Sequence, residues 1–500
     1  MTDVHELTFG DILGEHRRSR PRETAVVDDD VRLTYAELDA RVNRLANALA
    51  AAGAGPGDRV LWLGRTSFRV LETLLACARL GAICCPANWR SSADELAFVL
   101  DDLSPAVVLH AGGDTVAQAR TAAGGDARWV AAGAEYEAFL AAAPDTEPDI
   151  EVSAADPLLA QYTAAFSGRP AAALLSHAAL AAHDMALAYV RRPGPGFTFL
   201  NSGPLFHVGT MMFCLMTFHL GGKNVFLPAF DAKRVCELVE AERCTHAFLF
   251  GPMIDQVTEA NRAAGHDLSS LRFVSHSPEW DAMITVDDSP WCASTFGGYG
   301  QTEVAGMLTY AGLAMGAAGP AGRPSPLVTV RIVDADGTEL PPGEVGEIVA
   351  RGLPVMSGYY NRPGLTAAKR SGGWHHTGDL GRREDDGTLT FIGPALRMIK
   401  SGAENIYPAE VERALKSHPS VADAAVIGVA DPMWGQAVRA VVVRIGDVSE
   451  DELIAHCRTH IASYKKPRDV VFTEAIPKKG YTPDYDALDA AHGGGGYPGT

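Results

Sequence analysis

Features that mark membrane, secreted or nucleic-acid-binding proteins are missing from this sequence. No apolar run approaches the ~20 residues that a membrane-spanning helix needs, and the acidic N-terminal stretch, MTDVHELTFGDILGEH, lacks the regions of a secretory signal. A formal net charge of -18 repels a phosphate backbone. We therefore expect a cytoplasmic protein with no membrane and no nucleic acid among its partners; the sequence leaves its oligomeric state open.

Cysteines at disulfide or metal-site spacing are also missing. The chain has eight cysteines, and its one adjacent pair, Cys84-Cys85, fits neither a disulfide framework nor a CxxC zinc site. We expect reduced and mostly buried thiols.

The first half of the chain alternates helix and strand signals. Thr34 and Glu37 form a T-x-x-E capping box that opens a run of apolar residues at helical spacing. A strand over residues 59–63 and an apolar helix over residues 70–80 follow. This order predicts parallel α/β units, and 500 residues exceed one hydrophobic core, so we expect at least two domains.

The second half changes character. Turn signals at Asp336-Gly337 and at residues 341–343 predict a small antiparallel sheet over residues 328–348. A separate unit is expected past Ile399, with strands over residues 424–429 and 440–445 and a helix capped by Ser449 and Glu452. The glycine-rich residues 492–500 are expected to fray.

Four short strings carry the chemistry. Tyr299-Gly-Gln-Thr-Glu303 combines an aromatic ring for stacking, a glycine for close approach, a hydroxyl for a phosphate oxygen and a carboxylate for Mg²⁺. Pro204-Leu-Phe-His207 precedes it; His376-Thr-Gly-Asp-Leu380 and Lys400-Ser-Gly-Ala-Glu-Asn-Ile-Tyr-Pro408 follow it. One such string alone is weak, but four in this order are specific.

Together the strings resemble the motifs of the adenylate-forming, AMP-binding superfamily of acyl-CoA synthetases, peptide-synthetase adenylation domains and luciferases. The resemblance implies an α/β fold with a large N-terminal domain of stacked α/β subdomains plus a small β-barrel, over residues 1–396. It implies a small mobile α+β domain over residues 397–500. The cofactors would be ATP/AMP, Mg²⁺ and CoA, and an oxyanion, most simply a small carboxylate, would be activated.

The resemblance also assigns roles to residues. Tyr299 packs on the adenine, Thr302 meets the α-phosphate, Glu303 binds Mg²⁺, and Asp379 accepts hydrogen bonds from the ribose. For Glu303 a solvated helix carboxylate, and for Asp379 a turn residue, are the structural alternatives. The other expected nucleotide- or CoA-contacting residues are Thr163, Ser167, Gly168, Arg169, Ser277, Pro278, Gly300, Gln301, Arg397, Ser401, Gly402 and Glu404.

The substrate side is carried by a different set of residues. His207 is expected where the acyl pocket meets the thiol tunnel, with a buried core histidine as the alternative, and Lys400 belongs to the face of the small domain that the second reaction uses. The remaining expected pocket residues, among which Met211 is as well explained by core packing, are Phe206, Met211, His276, Trp280, Gly298 and Val304.

Three motifs depart from the family pattern. The phosphate loop Y-T-S-G-T-T-G-R-P-K-G becomes Tyr162-Thr-Ala-Ala-Phe-Ser-Gly-Arg-Pro-Ala-Ala172, without its lysine. The C-terminal lysine that bridges ATP and the carboxylate is replaced by Pro483, with Lys478 and Lys479 nearby as possible substitutes. The hinge G-R-x-K-D becomes Gly393-Pro-Ala-Leu-Arg397, in which Arg397 is the candidate to replace the ribose-contacting arginine.

Three functions therefore stay open at the level of sequence. The first is an acyl-CoA synthetase that forms an acyl-AMP and transfers the acyl group to CoA. The second is a repurposed adenylating enzyme without CoA, such as a nitrite-dependent diazotase of an aromatic amine or an amide-forming ligase. The third is a pseudoenzyme that binds AMP or acyl-CoA; against it stand the intact motifs for adenine, ribose and Mg²⁺.

Overall fold

The fold is taken from a computed structural model, which describes residues 4–163, 170–194, 196–289, 292, 297–395, 397–402, 404–479 and 482–498. Its α-helices are α1 Phe9–Ser19, α2 Tyr35–Ala51, α3 Phe68–Leu80, α4 Ala93–Leu103, α5 Asp114–Ala122, α6 Ala134–Ala141, α7 His177–Arg191, α8 Val208–His219, α9 Ala232–Glu242, α10 Gly251–Ala264, α11 Pro278–Met283, α12 Pro363–Ala368, α13 Pro408–Lys416, α14 Glu450–His460 and α15 Tyr485–His492.

The strands of the first half are β1 Thr24–Asp28, β2 Val31–Thr34, β3 Arg59–Leu63, β4 Ile83–Pro86, β5 Val107–His110, β6 Arg128–Ala131, β7 Pro157–Thr163, β8 Ala171–Ser176, β9 Thr198–Asn201, β10 Lys223–Phe226 and β11 His246–Ala247. Those of the second half are β12 Arg272–Phe273, β13 Thr285–Val286, β14 Gly298–Gln301, β15 Gly306–Tyr310, β16 Arg323–Pro324, β17 Val328–Val333, β18 Val345–Gly352, β19 Gly358–Tyr359, β20 Arg370–Ser371, β21 Trp374–Arg383, β22 Leu389–Pro394, β23 Ile399–Ser401, β24 Glu404–Ile406, β25 Val421–Asp431, β26 Gly435–Arg444, β27 Asp469–Phe472, β28 Lys478–Lys479 and β29 Thr482–Pro483.

Helices begin where the sequence supplies capping side chains. The predicted box at Thr34 and Glu37 is present, and both of its reciprocal hydrogen bonds form. The box at Ser449 and Glu452 likewise opens α14. Each cap satisfies backbone N–H groups that would otherwise lack partners at the start of a helix.

Two sheets with parallel centres build the large domain. One has the order β19-β8-β7-β4-β3-β5-β6, and the other has the order β11-β9-β10-β1-β2. Strands β3 to β7 run parallel in the first sheet, as do β1, β9, β10 and β11 in the second. One continuous apolar core with residues from α1, α2, α3 and α8 joins both sheets, which confirms the predicted parallel α/β architecture.

Antiparallel strands follow in the place of the expected small β-barrel. Two small sheets, β14-β15-β16 and β17-β18-β21-β20 with β22 paired to β21, share one core that includes Tyr299, Val304 and Leu389. The predicted turn at Asp336-Gly337 connects β17 toward β18, and Gly337 adopts φ 79 there. This shared core holds the Tyr299 motif against β21, which carries Asp379.

The small C-terminal unit is an α+β domain with its own core. Its sheet has the order β24-β23-β26-β25, with β27 parallel to β26, and α13 and α14 contribute buried residues to the same cluster. Among the described residues, none of the helices combines the length and apolar character that crossing a bilayer requires. All eight cysteines are buried thiols outside any disulfide, as expected.

The described residues of the C-terminal tail pack against the small domain, so the expectation of fraying was wrong for these residues. Gly495 donates its N–H to the Gly428 carbonyl at 3.0 Å. The Tyr497 hydroxyl accepts from the Gly428 N–H at 2.9 Å and donates to Asp489 at 2.9 Å. The buried aromatic ring anchors the surrounding glycines to β25.

Candidate active site

The predicted motifs converge on one cavity of about 880 Å³ between the two domains. Loops that follow β9, β10 and β11 form one end of the cavity, and β14 and β21 form the other. The carboxyl ends of parallel strands are where open α/β sheets bind ligands. The sheet topology therefore explains why distant sequence segments meet here.

A hydrogen-bonded group of side chains forms the nucleotide end. The Tyr299 hydroxyl donates to Asp379 Oδ2 at 2.5 Å, and the Gln301 amide donates to the same oxygen at 3.3 Å. Burial lowers the pKa of His375 to about 3, so the neutral ring donates from Nε2 to Gln301 Oε1 at 2.9 Å. His375 thereby fixes the Gln301 amide with its nitrogen toward Asp379.

Glu303 lies in a short 3-10 helix, Thr302–Val304, at the next position along the cavity. Its side chain is buried, and its Oε1 accepts a hydrogen bond of 2.7 Å from the Tyr359 hydroxyl. Burial raises the pKa of Glu303, while the Tyr359 hydrogen bond and the Lys369 charge oppose that rise. Burial likewise raises the pKa of Asp379. Both are held inside the cavity wall, so neither is the solvated or turn residue that the sequence also allowed.

These groups fit an adenosine nucleotide with Mg²⁺. The Tyr299 ring stacks on Phe391 with 4.9 Å between centroids, so one aromatic pair lines the cavity. Asp379, Thr302 and Glu303 line the same cavity, and they could offer a hydrogen-bond acceptor, a hydroxyl and a hard oxygen donor of the kind that Mg²⁺ prefers. No group of three or more metal-ligating side chains occurs within the described residues, so a magnesium ion here would depend on phosphate oxygens and water as further ligands.

The acyl end of the cavity is aromatic. Phe206 precedes α8, Phe230 follows β10, and Phe248 and Phe250 follow β11; Met253 completes this wall. Phe248 and Phe250 meet edge-on with 6.3 Å between ring centroids. Such walls favour a flat apolar ligand.

A charged contact between the small and large domains borders the cavity. Arg90 donates to Glu404 Oε1 at 2.7 Å, and its guanidinium lies between the rings of Phe206 and Tyr464, 5.1 Å from each centroid. His207 Nε2 lies 3.2 Å from Arg90 Nη2 and 3.7 Å from Glu404 Oε2. This nitrogen accepts from Arg90 when the ring is neutral and can donate to Glu404 when it is protonated.

Lys400 also lines the cavity, on β23 of the small domain. Its Nζ donates to Asn405 Oδ1 at 2.8 Å, and desolvation by the walls of the cleft lowers its pKa. Burial opposes ionisation of Glu404, but hydrogen bonds and charge from His207 and Arg90 outweigh it and lower the pKa of Glu404 to about 2. The face of the small domain that carries Lys400 and Glu404 is therefore turned toward the nucleotide motifs.

A second cavity of about 680 Å³ continues outward between α4 and the small domain. Lys465 bridges Glu95 and Glu410 at 2.7 and 2.6 Å, and His460 contacts Asp94 at 2.7 Å. The two cavities share Phe206, His207, Thr163, Thr302 and Glu404 among their lining residues. They form one route from the protein surface to the nucleotide end.

Several predicted pocket residues lie in the core instead, so those predictions were wrong. Trp280 is fully buried and donates Nε1–H to the Val274 carbonyl at 3.2 Å. Met211 belongs to the main apolar core, and Val304 to the core shared by the small antiparallel sheets. Val304 directly follows Glu303, but its side chain packs into the apolar core and does not line the cavity.

The segment that begins at residue 276 also lies outside the lining of both cavities. His276 Nε2 contacts Asp255 at 2.8 Å. The Ser277 hydroxyl accepts from the Trp280 N–H at 3.2 Å, and Pro278 occupies the first turn of α11, so these two residues start a helix. Gly298, Gly300 and Phe206, by contrast, line the cavity as predicted.

Arg397 points away from the nucleotide end. Its guanidinium pairs with Asp486 and Asp489 of α15 and lies over the ring of Tyr497 at 4.7 Å. The predicted contact with ribose is therefore not formed in this arrangement of the domains. Lys478 likewise pairs with Asp423 at 3.0 Å within the small domain.

Ser401 ends β23, and Gly402 follows it toward β24. Gly402 has φ 59, and a Cβ there would approach the Trp434 ring to 3.1 Å, so the turn requires glycine. Neither residue lines a cavity. Thr163 lines both cavities at the end of β7; Ser167, Gly168 and Arg169 lie outside the described residues.

Reasoning from sequence missed Arg90, Tyr359 and, apart from Phe206, the aromatic residues of the acyl wall. Arg90 follows the carboxyl end of β4, and the aromatic residues follow β10 and β11, so strand ends were the available signal. Tyr359 is different, because its contact with Glu303 spans 56 positions in sequence. No local sequence pattern predicts such a contact.

Comparison with known proteins agrees with this geometry. The family model "AMP-binding enzyme" matches residues 13–360, and "AMP-binding enzyme C-terminal domain" matches residues 410–481. A feruloyl-CoA synthase of Amycolatopsis sp is 40% identical over 475 residues, covering 93% of this chain and 95% of that protein.

Solved structures agree as well. An o-succinylbenzoate CoA synthetase from Bacillus subtilis, bound with a product analogue, has a TM-score of 0.81 at 25% identity and covers 95% of this chain and 96% of its own. An amide bond synthetase from Marinactinospora thermotolerans has a TM-score of 0.80 at 27% identity and covers 97% and 100%. The chain therefore belongs to the AMP-binding enzyme family, and it is an ATP-dependent, AMP-forming ligase.

Proposed function

We propose that this ligase activates an aromatic carboxylate and transfers the aroyl or arylalkenoyl group to CoA. The observation that carries the proposal is the aromatic acyl end of the cavity, which Phe206, Phe230, Phe248 and Phe250 line. Flat rings pack well against such walls, whereas a long flexible chain would lose more conformational entropy on binding. The feruloyl-CoA synthase similarity supports the same substrate class.

In the first half-reaction a carboxylate oxygen attacks the α-phosphorus of ATP, and pyrophosphate leaves. Tyr299 would pack on the adenine, Asp379 would accept hydrogen bonds from the ribose, and Thr302 would donate to the α-phosphate. A magnesium ion held by Glu303 would neutralise charge on the phosphate oxygens. The hydrogen bond from Tyr359 opposes the burial-driven rise in the pKa of Glu303 and orients the carboxylate for this purpose.

In the second half-reaction the CoA sulfur attacks the acyl carbon, and AMP leaves as the carbon–oxygen bond breaks. His207 stands where the two cavities meet, so its Nε2 is placed to accept the thiol proton or to orient the sulfur. Lys400 and Glu404 face the same point from the small domain. We assign the observed domain arrangement to this second half-reaction.

We place the domain boundary between residues 396 and 397. Ala395 N–H donates to the Gly378 carbonyl at 2.9 Å and so belongs to the large domain. Arg397 is bound by Asp486 and Asp489 of the small domain. Rotation about this point would leave Arg397 bound to both carboxylates, so the small domain can move as a unit. We expect the whole enzyme to be cytoplasmic.

The substrate class is tested by AMP and pyrophosphate release from Mg-ATP with matched acids, each with and without CoA. The panel pairs hydroxycinnamates and arylacetates with saturated fatty acids of equal carbon number. We expect kcat/KM for aromatic acids to exceed that for the fatty acids by at least about tenfold, the effect of ~1.4 kcal/mol. A preference for the fatty acids would contradict the aromatic assignment, and release of AMP that ignores CoA would contradict thioester formation.

An amine acceptor is the second candidate, because the outer cavity is acidic. Asp94, Glu95, Glu404 and Glu410 line it, against Arg413 and Lys465, and this balance suits a cationic amine better than the phosphates of CoA. The similarity to an amide bond synthetase points the same way. Replacing CoA by an aromatic amine in the assay distinguishes the amine acceptor from CoA, and nitrite plus an aromatic amine forms a third arm. Absence of AMP release in all three arms would indicate a binding protein without turnover.

A further inference from the structure

The nucleotide end lacks the cation that the phosphate-loop lysine of the family supplies, because Ala171 stands in that position. Among the described residues that line the nucleotide cavity, the permanent cations are Arg90 and Lys400. Arg90 is bound to Glu404, and Lys400 contacts Asn405, both at the acyl side. Among the described residues, a further cation for the β- and γ-phosphates would therefore have to come from outside this lining.

Lys369 is held beside the two nucleotide-binding carboxylates. It ends α12, and its carbonyl accepts from the His376 N–H at 2.8 Å, which ties the helix end to β21. Its Nζ lies only 2.8 Å from the point where a Cβ on Gly378 would stand. Gly378, with φ 77, directly precedes Asp379, so the ammonium lies against the backbone that presents the ribose-binding carboxylate.

The same helix is connected to the magnesium-binding carboxylate. The Thr366 hydroxyl of α12 accepts from the Tyr359 N–H at 2.9 Å, and the Tyr359 hydroxyl donates to Glu303 at 2.7 Å. Burial raises the pKa of both Glu303 and Asp379, and the charge of Lys369 acts against that rise at each of them. One ammonium therefore reaches both carboxylates electrostatically, and a phosphate chain between them would lie in its field.

We propose that Lys369 supplies the cation for the β- and γ-phosphates in place of the missing phosphate-loop lysine. The proposal rests on the proposed function, since it concerns the ATP that the first half-reaction consumes. Lys369 would act in binding ATP and in stabilising pyrophosphate as it leaves. It would make no contribution once acyl-AMP has formed, because that intermediate lacks both phosphates.

The test compares ATP with AMP. Calorimetry of Lys369→Met should show Mg-ATP affinity reduced about tenfold or more, with AMP affinity within about twofold of wild type, because AMP carries no β- or γ-phosphate. Exchange of labelled pyrophosphate into ATP should fall by roughly 10²-fold. Thioester formation from chemically made acyl-AMP and CoA should keep the wild-type rate.

Two further variants complete the design. Lys369→Arg should recover part of the ATP affinity, and Lys416→Met, which removes a lysine paired with Asp423 on the small domain, should behave as wild type. Equal loss of ATP and AMP affinity in Lys369→Met would reveal a purely structural residue and overturn the proposal, as would unchanged ATP affinity. A wild-type enzyme that binds ATP but fails to form thioester would instead count against the proposed function alone.

Discussion

Replacing Arg90 by methionine should slow the second half-reaction and spare the first. The variant keeps an unbranched apolar chain between Phe206 and Tyr464 but removes the donor to Glu404. Glu404 is then left in the cleft with His207 as its remaining partner. The substitution therefore weakens the contact between Arg90 and Glu404 that holds Lys400 over the cavity. This contact exists only when the small domain is closed over the cavity.

The magnitude follows from the pKa of Glu404. Burial opposes its ionisation, yet His207 and Arg90 together lower its pKa from 4.5 to about 2. That difference in pKa corresponds to about 3 kcal/mol. If Arg90 accounts for roughly half of it, the variant should weaken the free energy of domain closure by ~1–2 kcal/mol. A carboxyl group with a depressed pKa contributes its full stabilisation at pH values above its unperturbed pKa. That stabilisation is lost only as the pH falls through about 2. At a fixed pH well above this value, the expected effect is on the order of tenfold in rate.

The assay measures each half-reaction by itself. Stopped-flow mixing of preformed acyl-AMP with CoA reports thioester formation, and pyrophosphate exchange without CoA reports adenylation. The control is Arg65→Met, which removes a cation that stacks on Trp89 at 5.0 Å within the large domain. Equal slowing of both half-reactions by Arg90→Met, or slowing of neither, would refute the reasoning.

Three further outcomes are expected. Tyr359→Phe removes the hydrogen bond that opposes the raised pKa of Glu303, so the acid limb of the adenylation pH profile should move to higher pH. The control is Tyr360→Phe; the Tyr360 ring lies beside Arg59, and this variant should leave the acid limb unchanged. Trp280→Ala should cost about 3–5 kcal/mol of unfolding free energy in urea without changing acid selectivity, and a changed selectivity would return this residue to the pocket. Lys478→Ala should leave the pyrophosphate exchange rate unchanged, because its ion pair lies within the small domain; a large loss would show that it enters the site during adenylation.

The sequence predicts the elements better than it predicts which side chains meet. The capping boxes at Thr34 and Ser449 define helix starts by contacts three residues apart, and both helices begin there. The Tyr299 motif and Asp379 are likewise brought together as predicted. These features depend on local geometry or on motifs whose residues act as a set.

Other features escaped prediction because they depend on packing. The orientation of the short helix α11 relative to β12 decides whether Trp280 faces the core or the cavity, and no local sequence pattern predicts that orientation. Arg397 was expected at the ribose, but two carboxylates of α15 compete for it. The tail was expected to fray because glycine has high backbone entropy, and one buried tyrosine ring offsets that cost.

The most direct test of the account is the stoichiometry of one turnover with Mg-ATP, an aromatic acid such as a hydroxycinnamate, and CoA. Wild-type enzyme should release one AMP and one pyrophosphate for each thioester formed, and Glu303→Gln should release neither above background because its neutral amide holds Mg²⁺ poorly. Thioester formation with ADP and phosphate as products, or undiminished turnover by the Glu303 variant, would contradict it.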